Sequence, residues 1–338
     1  MVSSKSGHFE LGVKCVQWAA DIPLRTPMMF SLRKNSSGGT VGLDIDGRYL
    51  AAAQVESGRV VRGVSAELPA GLIADGEVVN RDGLTEALKN FVAEAGLPKS
   101  VRLGVANQQI VVRVVELPRI EDEKQRDAAV RFQAAEAIAM PLDEAVLDHQ
   151  IAGFTEAPDG SPRMQVVLVA ARRSMVEALL ASAKDAGLKP EGVDLDAFAL
   201  VRTLAAGGDD DQSGDSACVY CHLGGVSNLA IAVGSACFFT RPLSAVWDDE
   251  DAAARLADEI RLSIDYYMTQ AQAKPVGTVV LSGPGSADEQ LIEGLGVHLG
   301  LPTTVAAPLG VLDRSALDAS EDPHRLTVAA GLAMGRAA

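Results

Sequence analysis

The sequence predicts an α/β protein made of two similar lobes. Two observations lead to this prediction: each half of the chain opens with strands joined by glycine-containing turns, and segments with one apolar helical face lie between the strands. The composition agrees, because 48% of the 338 residues are hydrophobic and 22% are charged, as is typical of folded globular proteins. We therefore expect two lobes, each with a sheet and a helical layer.

The first lobe is predicted to open with a hairpin. Residues 41–45 and 49–55 are the expected strands on either side of a turn at 46–48, and a third strand follows the turn at 57–58. Residues 218–241 repeat this arrangement of strands and glycine turns. The repetition indicates an internal duplication, in which the second hairpin opens the second lobe.

Two helices are predicted in the first half of the chain. Residues 84–95 carry one apolar stripe that ends at Gly96, a residue typical of helix C-termini. Residues 122–140 begin with acidic side chains and place Phe132 and Ile138 on the apolar side. Each helix is expected to pack one face on a sheet.

Two further helices are predicted downstream. Ser174 and Glu177 form a capping box, which predicts a helix from there to Gly187. The longest helix is expected at residues 249–272, with Tyr267 on its apolar stripe.

Charge and composition exclude several classes of protein. The net charge of −15 argues against a nucleic-acid-binding protein, because phosphate affinity comes from clustered Lys and Arg. The same charge favours partners with basic tails. No apolar run approaches the roughly 18 residues needed to span a bilayer. The four cysteines do not form the regular spacing of a disulfide framework, which fits a reducing compartment. The cytoplasm is therefore the expected location.

Two segments are predicted to lie outside the lobes. Residues 1–39 contain short apolar islands among polar residues and no signal-peptide core, so we expect a disordered N-terminal extension, with translation starting at Met28 or Met29. Residues 207–215 form an acidic linker between the halves, and a cation site there is the alternative interpretation.

The segment from Cys218 to His222 matches the CxxCH pattern of covalent haem attachment. Together with Cys237, its cysteines are also candidate zinc ligands. Alternation along a buried strand would point Cys218 and Cys221 to opposite faces, which favours plain buried thiols over either site.

Three glycine-bearing turns are candidate anion sites. They are GLDIDG at 42–47, HLGG at 222–225 and LSGPGS at 281–286. Only the third is expected to lead directly into a helix, near Ala287, whose amides and dipole would suit an anion. A simple turn is the usual interpretation of any one of them, and it is their occurrence together that favours an anion site. Asp44, at the end of an apolar strand, needs a cation, water or backbone donors, so a nucleotide role and a turn-capping role both remain open.

Four longer segments carry a family resemblance. They are residues 67–80 (ELPAGLIADGEVVN), 111–118 (VVRVVELP), 140–149 (MPLDEAVLDH) and 259–267 (EIRLSIDYY). With the glycine turns, in this order, the chain from about residue 41 onward resembles the PilM family of actin-like proteins in type IV pilus assembly. The wider fold includes actin, FtsA and sugar kinases. The resemblance implies an actin-like (ribonuclease H-like) two-lobed duplicated fold with a small inserted subdomain.

The resemblance also implies a division of the chain. The first lobe would comprise residues 40–111 and 166–206, and the inserted subdomain residues 112–165. The second lobe would comprise residues 216–338, with a helical part at 245–275.

The function implied by the resemblance is that of a cytoplasmic scaffold, held at the inner membrane through protein partners. Its inserted subdomain would dock the cytoplasmic tail of a PilN-like inner-membrane protein, and other pilus assembly proteins would join it. Two alternatives are an ATP-dependent small-molecule kinase of the same fold and an FtsA-like cell-division protein.

A nucleotide is implied as well, namely ATP with Mg²⁺ in the cleft between the lobes, with one phosphate hairpin from each. The sequence departs from the family pattern at Asp46, where glycine is expected, at Ala51, where lysine is often seen, and at His222, where the family has aspartate. We therefore expect ATP to bind weakly or structurally, without hydrolysis. The resemblance places these residues at the nucleotide, with Asp44 also facing the metal: Asp44, Gly47, Gly224, Gly225, Ser227, Asn228, Glu259, Ser263, Ser282, Gly283, Gly285 and Ser286.

Overall fold

A computed structural model describes residues 40–205 and 216–335. Its strands are β1 (Val41–Ile45), β2 (Tyr49–Glu56), β3 (Arg59–Glu67), β4 (Ile73–Ala74), β5 (Glu77–Val78), β6 (Ser100–Val105), β7 (Val111–Pro118), β8 (Ala145–Glu156), β9 (Pro162–Arg172), β10 (Lys189–Leu195), β11 (Ala217–His222), β12 (Asn228–Val233), β13 (Ala236–Pro242), β14 (Val276–Ser282) and β15 (Thr303–Val305). Its helices are α1 (Arg81–Ala95), α2 (Glu123–Ala137), α3 (Arg173–Asp185), α4 (Asp196–Leu204), α5 (Ala252–Met268), α6 (Glu289–Leu299) and α7 (Thr327–Met334). The predictions for residues 1–39 and 207–215 lie outside the described residues.

Two five-stranded sheets form the frame of the molecule, in the orders β10-β6-β1-β2-β3 and β13-β12-β11-β14-β15. When the strands of each sheet are numbered along the chain and the sheets are read from β3 and from β13, both have the order third, second, first, fourth, fifth. In both sheets the first three strands are antiparallel and the last two run parallel to the first. The predicted duplication and the two predicted hairpins are therefore confirmed.

A smaller sheet is inserted between β6 and β10 of the first lobe. Its order is β7-β9-β8, so β9 is central and the other two strands are edges. Val167 and Val169 face the main core, whereas Val166 and Leu168 pack with Val130 of α2 on the opposite face. This alternation is what a strand buried on both faces requires. The sheet extends to Arg172, beyond residue 165, where the inserted subdomain was predicted to end.

The end of α1 was predicted correctly, but the apolar face of α2 was not. Helix α1 ends at Gly96, whose φ of 58° is left-handed, as predicted. Helix α2 begins after Asp122 and ends before Ile138. Placing Phe132 on its apolar side was wrong, because the side chain is 71% exposed. The apolar face is formed by Val130 and Ala134, two positions away on either side and thus on the opposite surface of the helix.

The predicted capping box is also absent. Strand β9 passes directly into α3, so Arg172 occupies the N-cap position without a side-chain hydrogen bond, and Ser174 lies inside the first turn. Helix α5 is shorter than the predicted 249–272 but buries Tyr267 as expected.

The C-terminal segment returns to the first lobe. Helix α7 packs against α4 and against β1 and β2 of the first sheet, although residues 216–338 were predicted to lie in the second lobe. The approach is close, because a Cβ on Gly42 would overlap the carbonyl oxygen of Ala329. Leu309, Leu326 and Ala330 bury a small core against β2. The prediction failed because the contact joins distant parts of the chain.

Two buried arginines hold the end of α7. The Arg102 side chain, 1% exposed, donates to the carbonyl oxygens of Leu332 (3.1 Å) and Gly335. Arg202 donates to the carbonyl oxygen of Gly331 (2.5 Å) and pairs with Asp194 (2.9 Å). Cations at a helix C-terminus compensate its unpaired carbonyls and its dipole.

Candidate functional site

The turns of the two long hairpins meet between the lobes, and Asp46 joins them. One oxygen of its carboxylate, Oδ1, accepts from the backbone amides of Arg48 (2.9 Å) and Tyr49 (2.6 Å) in its own turn. The other oxygen, Oδ2, accepts from the amide of Gly225 (2.7 Å) in the second lobe. One carboxylate thus takes three amides from two glycine turns.

Glycine is required for this approach. A Cβ on Gly225 would lie 2.5 Å from the carbonyl oxygen of Asp46 and 2.6 Å from its Oδ1. Within the first turn, Gly47 has a φ of 89°, which other residues rarely adopt. A side chain at position 225 would therefore push the two turns apart.

An outer ring of contacts crosses the same boundary. Arg48 makes two hydrogen bonds to Asp248, of 2.8 and 3.0 Å. The Gln108 side chain donates to Ser244 Oγ at 3.0 Å. Both contacts are solvent-exposed, so each contributes little stability by itself.

Three carboxylates lie close together on the first-lobe side. Burial, together with the charges of Asp196 and Asp46, raises the pKa of Asp44 well above its usual range. Burial and the charges of Asp194 and Asp46 raise the pKa of Asp196 to about 8. Oδ1 of Asp44 has no hydrogen-bond partner among the described residues. A cavity of about 20 Å³ beside Asp46 and Asp196 has room for roughly one water molecule.

The third glycine turn packs on the second. Gly285 N donates to the Leu223 carbonyl oxygen (3.0 Å), and His222 Nδ1 lies 3.1 Å from Ser282 Oγ. Burial lowers the pKa of His222 to about 4, so the ring is neutral at pH 7. Ser286 Oγ donates to the Gly283 carbonyl oxygen (2.6 Å).

A helix follows this third turn, within two residues of the start predicted near Ala287. A 3₁₀ turn spans Pro284–Ala287, and α6 begins only after Asp288. The Asp288 carboxylate accepts from the amides of Gln290 (3.0 Å) and Leu291 (3.1 Å). The first turn of α6 is therefore capped by the protein's own carboxylate.

Four more predicted site residues have structural partners or are buried. Glu259 accepts from the amides of Ser244 (2.7 Å) and Ala245 (2.9 Å), and the fully buried Ser263 donates to the Glu259 carbonyl oxygen (2.7 Å). Ser227 and Asn228, 2% and 5% exposed, keep an unpaired Oγ and Oδ1 among the described residues. A role of these residues at a nucleotide stays a prediction.

The cysteines are separate buried thiols. Cys218 lies in the main core and Cys221 in the core of the second lobe, on opposite faces of β11 as predicted. Burial raises the pKa of Cys218 to about 11 and those of Cys221 and Cys237 to about 12. Within residues 40–205 and 216–335, no group of His, Cys, Asp and Glu has the geometry of a metal site.

The residues between the turns do not fit the phosphates of ATP. The amides that would receive them are already bonded to Asp46, and the neighbouring Asp44 and Asp196 add acidic groups. Arg48 is directed to Asp248. Ala51, where a lysine is often seen, is buried against the C-terminal segment.

Sequence reasoning identified some of this site and missed the rest. Asp46 was visible as a departure from the family pattern, but not as the acceptor that joins the lobes. Asp196 and the Arg48–Asp248 pair carried no local signal.

The duplicated sheets, with glycine turns from both lobes meeting between them, define an actin-like two-lobed protein. Residues 45–215 match the family described as type IV pilus assembly protein PilM, which is half of the chain. The chain belongs to this family. Within the described residues, no helix has both the length and the apolar character needed to cross a bilayer.

Several solved structures are similar to this chain, and the first of those named here supports the same fold. A PilM-PilN type IV pilus biogenesis complex contains a chain 22% identical to this one, with a TM-score of 0.73, and the match covers 88% of this chain and 98% of that one. The ethanolamine utilization protein EutJ from Carboxydothermus hydrogenoformans is 13% identical, with a TM-score of 0.48 and coverage of 89% and 90%. MreB5 of Spiroplasma citri bound to AMPPNP is 11% identical, with a TM-score of 0.43 and coverage of 80% and 92%.

Proposed function

We propose that this protein is a cytoplasmic scaffold of type IV pilus assembly that docks the cytoplasmic tail of a PilN-like inner-membrane protein. The observation that carries the proposal is the family match over residues 45–215, which includes the whole inserted sheet. The similar solved chain comes from a complex of PilM with PilN. The protein would be held at the inner membrane by this tail and by other pilus assembly proteins.

The docking surface we propose is the outer edge of β7, an edge strand of the inserted sheet that also approaches β13 of the second lobe. Arg119 N, just after the strand, donates to Pro162 O (3.1 Å), so the odd-numbered residues of β7 direct their backbone groups to β9. The backbone groups of Val112, Val114 and Glu116 therefore face away from the sheet. In agreement, Val112 O accepts from the Arg113 side chain (2.9 Å). An extended tail can add to such an edge through main-chain hydrogen bonds.

ATP is not required by this proposal. The resemblance implies a weakly held ATP with Mg²⁺ at Asp44. The phosphates of that ATP would need backbone amides that are already bonded to Asp46. The kinase alternative needs a catalytic carboxylate near the second turn; HLGG itself contains none, and the neighbouring Asp46 carboxylate is held by three amides. The FtsA-like alternative is less supported, because the family match is to PilM.

A variant of the β7 edge tests the docking surface. Val114→Pro removes an outward amide, and we expect it to weaken binding of a PilN-like tail peptide by about tenfold or more, measured by fluorescence anisotropy. Val114→Ala is the matched control, because it shortens the side chain and keeps the amide. Circular dichroism would verify that both variants are folded.

Two results would contradict this proposal. Unchanged affinity of a folded Val114→Pro variant would exclude the β7 edge. Absence of binding to any PilN-like tail by the wild-type protein would overturn the docking function itself.

A further inference from the structure

Asp46 does more than cap its own turn. Its contacts with the amides of Arg48 and Tyr49 are local, as in many aspartate turns. The contact with Gly225 is different, because it joins residues 179 positions apart that belong to different lobes. The carboxylate therefore holds the two hairpin turns to each other.

The chemistry of this contact is that of a bound anion. Successive backbone amides at a glycine turn form a concave site for a negatively charged oxygen group. Burial raises the pKa of the Asp46 carboxyl, and the amides of Gly225, Arg48 and Tyr49 oppose this rise, because hydrogen bonds from amides stabilise the ionised form. Here both carboxylate oxygens are used, and the amides come from the two turns that the resemblance assigns to phosphate binding.

The space between the turns is filled by this side chain. A Cβ on Gly224 would lie 3.0 Å from Asp46 Oδ2, and one on Gly225 would lie 2.6 Å from Oδ1. A phosphate group could reach the Gly225 amide only if the Asp46 side chain moved away.

We infer that the Asp46 carboxylate takes the place of a phosphate between the two turns, and so holds the lobes closed without a nucleotide. This inference goes beyond the docking of a tail and does not depend on it. In terms of specificity, Asp46 excludes phosphate-containing ligands from the amides that would otherwise bind them. An Asp46→Gly substitution should make those amides available.

Hydrogen exchange of the full-length protein tests the inference at the Gly225 amide. In the wild-type protein this amide should be protected without any ligand. In Asp46→Gly it should exchange about tenfold faster or more, and sodium pyrophosphate should restore protection. Asp248→Asn is the matched control, because it removes the exposed inter-lobe pair but leaves Asp46 in place, and it should exchange like the wild type.

Thermal unfolding provides the second measurement, with pyrophosphate and Mg-ATP as separate probes. We expect neither probe to raise the Tm of the wild-type protein at millimolar concentration, and pyrophosphate to raise that of Asp46→Gly by about 2 °C or more. Equal stabilisation of both proteins would overturn the inference. So would fast exchange of Gly225 in the wild-type protein. If Asp46→Gly does not fold, Asp46→Asn keeps the side-chain volume, and unchanged exchange in that variant would also overturn the inference.

Discussion

Asp44 and Asp196 are buried acidic residues, with 3% and 8% of their surface exposed to solvent. Burial and neighbouring carboxylates raise the pKa of both groups in the folded protein, that of Asp196 to about 8. In the unfolded chain each would titrate near its ordinary value of about 4. Between these values the folded state holds protons that the unfolded state has lost, so stability falls as the pH rises towards 8.

The first prediction follows from this linkage. Between pH 6.5 and 8.5 the Tm of the wild-type protein should fall, and Asp196→Asn should flatten the fall and be more stable by about 3 °C at pH 8.5. This range avoids His149 and His222, whose pKa values burial lowers. Differential scanning calorimetry across the range measures the effect.

Asp313→Asn is the control for this prediction. A hydrogen bond from Ser315 holds the pKa of Asp313 below its usual value, so this carboxylate is ionised throughout the range in both states. The control should keep the wild-type slope. An unchanged slope in Asp196→Asn would contradict the assignment.

At the scale of single elements, features that depend on neighbouring residues were predicted well, whereas contacts between distant residues were not. The turn at Gly47 and the end of α1 at Gly96 depend on left-handed backbone conformations that glycine adopts easily, so they were predictable. The start of α3 was not, because β9 runs into it without the loop that a capping box presupposes. The partner of Asp46 lies 179 positions away, and no local pattern encodes that contact.

Helix α2 illustrates how an alanine-rich helix misleads sequence analysis. Its core face consists of Val130 and Ala134, 1% and 0% exposed, which are small residues with a weak periodic signal. Phe132 is larger than either, so the sequence analysis placed it on the apolar face of the helix, yet its side chain is exposed. Side-chain size was the wrong guide here.

The element-scale prediction compares these two positions. Val130→Ala should destabilise the protein by about 1–3 kcal/mol, because it leaves space between α2 and the inserted sheet. Phe132→Ser should change the free energy of unfolding by less than about 0.5 kcal/mol. Urea denaturation measures both, and a larger loss in the Phe132 variant would show that the outer surface of α2 is covered in the isolated protein.

At the scale of the whole molecule, several contacts join the two lobes, and two of these link parts of the chain that are far apart in sequence. One is the contact between the hairpin turns at Asp46 and Gly225. The other is the C-terminal segment, which leaves β15 of the second sheet and ends as α7 on the first. The sequence predicted the duplication, because it repeats, but not this return, because α7 has no sequence feature that specifies its partner.

Removal of the returning segment gives the whole-molecule prediction. A chain that stops after residue 306 would expose the faces of β1 and β2 that α7 covers and would remove the carbonyl partners of Arg102. We expect loss of the cooperative thermal transition and binding of a hydrophobic dye. A chain that stops at Gly335 is the control and should unfold like the full chain. A cooperative transition within a few degrees of the wild-type Tm would contradict the prediction.

The position of α7 also bears on how the molecule is made. Arg102 and its acceptor Leu332 are 230 positions apart, and contacts between such distant residues form late. During synthesis the first lobe emerges from the ribosome early but lacks its last helix until residue 335 has been added. The lobe that is synthesised first is therefore the last to complete its fold. Until α7 docks, the alanine-lined surface of β2 is accessible to chaperones and to other nascent chains.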